Sequence, residues 1–314
     1  MWRYALRRFL QALILWVGVT ILSFTIVHLA PGGPVQFMED PRFSPEVRDQ
    51  IEASFGLRDP IPVQYARWMA GIVRLDFGRS FADNRPVVDR ILERWPNSLQ
   101  LTLAAMLIGL LGVPLGVLAA LRRGTAVDHG ARVLIVLLNA LPSWWLGLMV
   151  LVLVANTVPI FPLGGMTTLG RGDLLDRLWH LALPATLLAT GGWVVYGRYV
   201  RSEMLEVLGQ DFVRTARAKG VPEPLVIRRH ALRNALIPLA TILGGSLPAL
   251  FGGALLIETV FSWPGLGRLF YDAANSRDYP LVMGLTVIGA FLVLMGNLLA
   301  DLLYGVVDPR VRYD

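Results

Sequence analysis

The sequence predicts an all-α integral membrane protein with six transmembrane helices and both termini in the cytoplasm. Three observations carry that prediction. The 314 residues are 54% hydrophobic and 17% charged, with a mean hydropathy of +0.55, which is more apolar surface than a soluble domain presents. The apolar residues fall in runs long enough to cross a bilayer, for which about 20 residues suffice. The basic residues, 28 Arg and the single Lys219, gather on alternate loops. The net charge of +6 and pI near 10.0 invite a nucleic-acid reading. Arginines beside apolar runs report membrane orientation instead, so lipid is the predicted surrounding and nucleic acid is not a partner. The chain has no cysteine, which excludes disulfides and thiolate metal sites.

Residues 1–30 are read as the cytoplasmic N-terminus and first span. Arg3, Arg7 and Arg8 lead into the apolar run 9–30. A signal peptide also begins with positive charge, but this run is longer than a signal core. Pro31-Gly32-Gly33-Pro34 follows it in place of a small-residue cleavage site, so the span is read as uncleaved. Residues 31–97 then form an external, periplasmic-side helical segment. Tyr65, Trp68, Met69, Ile72 and Val73 make one stripe at helical spacing, and Val87, Val88, Ile91, Leu92 and Trp95 make another. Asp59-Pro60-Ile61-Pro62 and Asp76-Phe77-Gly78 supply the breaks. The stripes have three possible destinations: each other, the membrane surface or an external partner. Packing within the chain is the expected one.

Residues 98–314 form a five-helix core with spans at 98–121, 133–155, 178–196, 235–257 and 281–304. Pro184 and Gly191-Gly192 interrupt the third of these, a break tolerated where neighbouring helices satisfy the freed backbone groups. Gly109, Gly112 and Gly116, and later Gly244, Gly245, Gly252 and Gly253, permit close helix approach. With six spans, the termini and the short loops on their side collect sixteen Arg or Lys. The opposite short loops hold four, Arg171, Arg177, Arg268 and Arg277. The imbalance places the termini and the insert 198–234 in the cytoplasm. The 31–97 segment is too long for the rule, and its nine Arg are offset by ten Asp or Glu.

Within that insert the stretch 211–239 carries two short helical patterns. Leu205, Leu208, Phe212 and Ala216 recur at helical spacing, and Gly220 can take the φ > 0 conformation that closes a helix. Pro222 stops continuation, Pro224 suits a first helical position, and Leu225, Arg229 and Leu232 share the next face. A helix–turn–helix of this size between spans is a handle for a partner. A solvated basic loop is the other reading of the same pattern.

Membrane chemistry is missing. His28, His129, His180 and His230 are scattered without a zinc-binding pair. Gly244-Gly245-Ser246 resembles a serine-protease element, yet no histidine follows His230 to act as base. Asp272 and Asp301 fall at opposite membrane faces and make no aspartyl pair. Lys219 is followed by Gly220, so no phosphate-binding loop exists. His28, Glu258 and Asp301 sit at span ends, where an interfacial position is the commoner reading. The span interiors hold only neutral Asn139, Ser143, Thr186, Ser246 and Asn297, which glue helices together or line a path. The sequence therefore predicts no catalytic residue, cofactor or metal site, and a translocation path powered from outside the chain.

The insert resembles the cytoplasmic loop of ABC importer permeases, whose pattern is Glu-Ala-Ala, three residues, Gly, nine residues, Ile-x-Leu-Pro. Aligned on Gly220, this chain has Arg214-Thr215-Ala216, Ala218-Lys219-Gly220 and His230-Ala231-Leu232-Arg233, without the Glu and the Pro. It is more similar to the dipeptide, oligopeptide and nickel branch, where Arg-Thr-Ala-Arg-Ala-Lys-Gly and Arg-His-Ala-Leu-Arg-Asn-Ala are typical. Leu29-Ala30-Pro31-Gly32, the stretch from Glu258 to Gly267 (ETVFSWPGLG) and Arg277-Asp278-Tyr279-Pro280 agree with it. The long external segment resembles the first, B-type permease of the pair.

The resemblance implies a bacterial inner-membrane permease subunit of an ATP-driven peptide importer that is not itself an enzyme. Its implied partners are a second, usually non-identical permease, two cytoplasmic ATPase subunits that bind ATP and Mg, and an external substrate-binding protein. Asp211, Arg214, Thr215, Ala216, Arg217, Lys219, Gly220, Arg228, Arg229, His230 and Arg233 are then assigned to ATPase coupling. Trp263, Pro264, Gly265, Leu266 and Gly267, with Trp68 of the cap, are assigned to an external gate or docking surface, plain loop packing being the alternative. An ATP-independent secondary transporter or channel is the competing function, and a membrane anchor for a cytoplasmic complex is a third.

Overall fold

The computed structural model describes residues 2–29, 44, 46, 59–157, 161–246, 248–252 and 254–307, and every regular element among them is helical. The Pro31-Gly32 end of the first motif, most of 31–58, and Arg310 and Arg312 lie outside the described residues. Contacts divide the chain into two compact units. One comprises Met1–Ser98, Phe251–Leu255 and Pro264–Asp314, the other Leu99–Leu250 and Leu256–Trp263.

The first unit is built on two long apolar helices, α1 (Trp2–Leu29) and the last helix, Tyr279–Val307. At 1.5 Å per residue each is about 42 Å long, enough to cross a bilayer with some tilt. Helix α2 (Ile61–Val73) starts where Pro60 and Pro62 fix the backbone. It then packs on α1: Phe24 meets the rings of Tyr65 at 5.5 Å and Trp68 at 5.6 Å, and Thr20 Oγ1 lies 2.8 Å from the Tyr65 hydroxyl. Both predicted stripes feed one core. Ile72, Val87, Ile91, Leu281 and Leu285 are buried together, with Trp68, Met69, Val88 and Trp95 packed against them. Val73 and Leu92 point outward, because each stripe is narrower than its sequence pattern. Helix α3 (Val87–Gly109) begins eleven residues before the predicted start of the second span at Ser98, so the end of the 31–97 segment forms the first turns of that helix.

The second unit takes the chain from Leu99, within α3, through α4 (Gly112–Leu121), α5 (Ala126–Ala140), α6 (Ser143–Thr157) and α7 (Leu174–Leu208). Helix α7 runs unbroken for 35 residues through Pro184 and Gly191-Gly192, which corrects the expected interruption. The glycines serve contact instead. A Cβ on Gly112 would lie 2.9 Å from Trp193 Cα, one on Gly116 would lie 2.5 Å from Gly197 O, and one on Gly192 would lie 3.0 Å from Gly109 Cα. Backbones touch along this seam, as the glycine spacing of the second span predicts. Trp193 Nε1 donates to Ile108 O at 2.8 Å, satisfying a carbonyl beside the α3–α4 break.

Two expected spans differ. Residues 133–155 are not one straight helix: α5 and α6 meet at a bend of 99°. Leu141, held extended (φ −105°, ψ 128°), precedes Pro142, and a residue before proline is disfavoured in the helical region. Residues 235–257 form short helices, Ile237–Ser246, Ala249–Gly252 and Leu255–Val260, where Gly244, Gly245, Pro248 and Gly252 crowd the segment. Among the described residues, four helices are long and apolar enough to cross a membrane, or five if the bent pair is one span.

The seam yields a direct test. Gly116→Ala places a methyl against fixed backbone and should cost about 1–3 kcal/mol, read as a lower thermal midpoint of the purified protein. Gly130→Ala, which meets nothing within 4 Å, should leave the midpoint unchanged or raise it slightly.

Candidate functional site

The insert grows directly out of α7. That helix ends at Leu208, Gly209-Gln210 turn the chain, and α8 (Asp211–Ala218) begins with Gln210 extended as its N-cap. Two residues of α8, Val213 and Ala216, are buried against Val226, with Val207 and Val221 packed around them. Phe212 stands 43% exposed and Leu225 45%. Phe212 therefore does not continue the Leu205–Leu208 stripe, because the turn at Gly209 resets the register and Val213 takes the inward position.

The end of α8 is closed by paired hydrogen bonds. Val221 N–H donates to Ala216 O at 3.2 Å and Gly220 N–H to Arg217 O at 2.9 Å, the Schellman pattern, with Gly220 left-handed at φ +75°. Val221 packs near Ala216, the apolar contact that accompanies such caps. Across the turn Arg217 grips Glu223 with both arms, Nε to Oε2 at 3.0 Å and Nη2 to Oε1 at 2.7 Å. That hydrogen bond holds the Glu223 carboxyl below its ordinary range. A depressed folded-state pKa means the contribution is present above the unfolded value, about 4.3 for Glu, and is lost as pH falls through the folded one. Both groups are half exposed, so the pair is a weak strap across an already fixed turn.

The second limb departs from the expected α pattern. Pro222 is the N-cap and Pro224 occupies the second helical position, not the first, in α9 (Glu223–Leu225), after which Val226–Leu232 is a π-helix. Leu225, Arg229 and Leu232 do not define its buried face; Val226 and Ala231 do, five residues apart. Five residues close about one π turn. The wide turn lets Val226 face α8 while Ala231, Ala235 and Leu239 join Ala120, Tyr196, Val200 and Met204 in a separate core. Both limbs are thus fixed to the helices behind them.

Of the predicted coupling residues, Asp211, Arg214, Thr215, Arg217, Lys219, Gly220, Arg228, Arg229 and Arg233 are exposed, His230 is half-buried and Ala216 is buried. Arg214 lies 3.4 Å from Asp211. Among the described residues no carboxylate lies within ion-pair distance of Lys219, Arg228, Arg229 or Arg233. The insert presents basic charge flanked by the two exposed apolar side chains, Phe212 and Leu225.

The Trp263-Pro264-Gly265-Leu266-Gly267 stretch is interior. Trp263 is 0% exposed, Leu266 and Gly267 are buried, and Pro264 is half-buried. Asn97 Nδ2 donates to Pro264 O at 2.8 Å, and Leu266 N–H donates to Ser98 Oγ at 2.7 Å. Trp68, the other residue of this assignment, is half-buried against Phe24. Glu258, expected at an interface, is 0% exposed. The helix Leu255–Val260 ends with Trp263 N–H donating to Glu258 O at 2.8 Å and Ser262 N–H to Thr259 O at 3.2 Å. Ser262 there takes φ +51°, a position that favours glycine.

In sequence, the chain is similar to known transport proteins. The family described as "Binding-protein-dependent transport system inner membrane component" matches residues 112–313, and its N-terminal counterpart matches residues 1–102. The chain is 44% identical to the oligopeptide transport system permease protein AppB of Bacillus subtilis over 313 residues, 99% of each chain. It is 40% identical to the dipeptide transport system permease protein DppB of Escherichia coli K12 over 337 aligned positions, covering 100% of this chain and 99% of the other. It is 38% identical to the di/tripeptide transport system permease protein DppB of Pseudomonas aeruginosa, covering 94% of each.

Relieving the strained cap should stabilise the fold. Ser262→Gly is expected to raise stability by on the order of 1 kcal/mol, seen as a higher thermal midpoint.

Proposed function

The chain belongs to the family of inner-membrane components of binding-protein-dependent transport systems, and from that premise we propose how its parts serve transport. It is a permease subunit of a bacterial ABC peptide importer, a multi-pass inner-membrane protein without an ATPase site of its own. Six spans with both termini in the cytoplasm remain the topology best supported by the arginine distribution. The broken stretch 235–257 and the bent α5–α6 pair would each count as one span.

The observation that carries the coupling reading is the insert's construction. A short exposed helix is capped by paired hydrogen bonds, strapped by Arg217–Glu223 and anchored through Val213, Val226, Ala231 and Ala235. A solvated loop needs none of this. A lever does, because it must move as a unit when a partner moves. Phe212, Leu225 and the exposed basic side chains around them fit a groove with an apolar floor and acidic rim on an ATPase subunit, which would bind the ATP and Mg. A second permease completes the pathway, and an external binding protein delivers di- or oligopeptides, as the relatives' names indicate for those proteins. The buried Trp263–Gly267 stretch suits a gate-supporting core better than a docking surface.

Gly220 tests the coupling reading. No atom lies within 4 Å of a Cβ built there, so in this chain alone a substitution acts through its φ. Asn tolerates that conformation; Ala and the β-branched Val do not. Uptake by the reconstituted importer should fall in the order Gly, Asn, Ala, Val, while the permease still inserts and folds. Gly220→Val with normal uptake and normal ATPase assembly would overturn the assignment.

A further inference from the structure

We propose that Asp128 and Arg201 are positioning residues for transport: a two-armed fork that makes α5 follow α7 when the coupling insert moves. Arg201 Nε donates to Asp128 Oδ1 at 2.7 Å and Nη2 to Oδ2 at 2.9 Å, and Gly124 N–H adds a third bond to Oδ2 at 3.1 Å. Asp128 is 2% exposed, and the Arg201 side chain is mostly covered. The carboxylate sits in the first turn of α5, where the helix field favours negative charge. It is the only acidic residue between Glu93 and Asp173. The neighbouring Arg122, Arg123 and Arg132 are exposed, and none of them has a carboxylate within ion-pair distance among the described residues. Arg201 alone is gripped.

Location gives the pair its role. Arg201 lies seven residues before the end of α7, about 10 Å along the axis, and α8 follows after two residues. At the same level Gly116 of α4 presses on α7: its Cβ would lie 3.1 Å from Arg201 N. Helix α4 is therefore held to α7 by backbone contact. Helix α5, one turn further along the chain, is held by the fork. A buried ion pair is a poor source of stability, since well-packed apolar groups of similar volume often do as well or better. What it supplies is geometry, because two parallel charge-assisted bonds resist both sliding and rotation.

This inference rests on the coupling reading of the insert, and its test separates the two. The double variant Asp128→Leu/Arg201→Met removes the fork while leaving no buried charge unpaired, so it keeps the fold. Arg201→Lys keeps the charge and loses one arm. In the importer reconstituted with its ATPase subunits and binding protein, both variants should assemble and hydrolyse ATP at the basal rate. Peptide uptake and the stimulation of hydrolysis by loaded binding protein should each fall about tenfold, within the usual range of coupling energies. Wild-type uptake by the double variant would make the pair structural only and overturn the proposal. Failure of both variants to assemble would overturn it too, by making the pair a folding determinant. Normal uptake by Gly220→Val would instead remove the coupling reading beneath it.

Discussion

The contact on which the rest depends is the glycine seam between α4 and α7. Gly112 and Gly116 meet Trp193 and Gly197 at distances that leave no room for a side chain, and Gly192 is pressed as closely on Gly109 at the end of α3. In a bilayer the lipid tails are as apolar as the side chains, so helices associate through close packing and hydrogen bonds and not through apolar burial alone. The seam supplies that packing over about two turns. It gives α7 a close-packed partner between Ala189 and Arg201, and an unbroken 35-residue helix leads into the insert. Tyr196, Val200 and Met204, on the same helix, then receive Ala231 and Ala235 from the second limb.

Helix ends are the second recurring device. Among the described residues, four helices close with the same paired bonds and a left-handed residue: Leu75 after α2, Gly220 after α8, Ser262 after Leu255–Val260 and Arg277 after Leu266–Asn275. Only Gly220, which has no Cβ, is suited to it. At the other three the conformation costs on the order of 1 kcal/mol or more, offset by contacts of the neighbouring residues. Trp263 is buried after Ser262. Asp278, after Arg277, accepts from Phe81 N–H at 3.1 Å and from the Ser80 hydroxyl, binding the Ser80-Phe81 turn to the start of the last helix. At both of these reversals the next residue, buried and held in place, fixes the turn.

Local patterns with one physical cause were legible in the sequence: the glycine spacing of the second span, the left-handed Gly220 and the inward stripes of α2 and α3. The unbroken α7 was not, since Pro184 and Gly191-Gly192 read as breaks until their helix partner is known. The π turn was hidden because Leu225, Arg229 and Leu232 obey the α period, while burial of Val226 and Ala231 by two different cores decides the outcome. The left-handed Leu75, Ser262 and Arg277 carry no residue-type signal. Asp128 and Arg201, 73 positions apart, had none either. Family membership was legible almost throughout, because it rests on residue strings and their order and not on contacts.

The central claim is that the outer face of the insert is covered by an ATPase subunit, and the absence of native cysteine makes that measurable. Phe212→Cys and Leu225→Cys each place one thiol on the exposed apolar edge. Labelling by a water-soluble maleimide is compared between the permease alone and the assembled importer. The expected result is rapid labelling of both thiols in the isolated permease and strong protection in the complex, changing when ATP is added. Equal, rapid labelling of both positions in an assembled, transport-competent importer would contradict the claim.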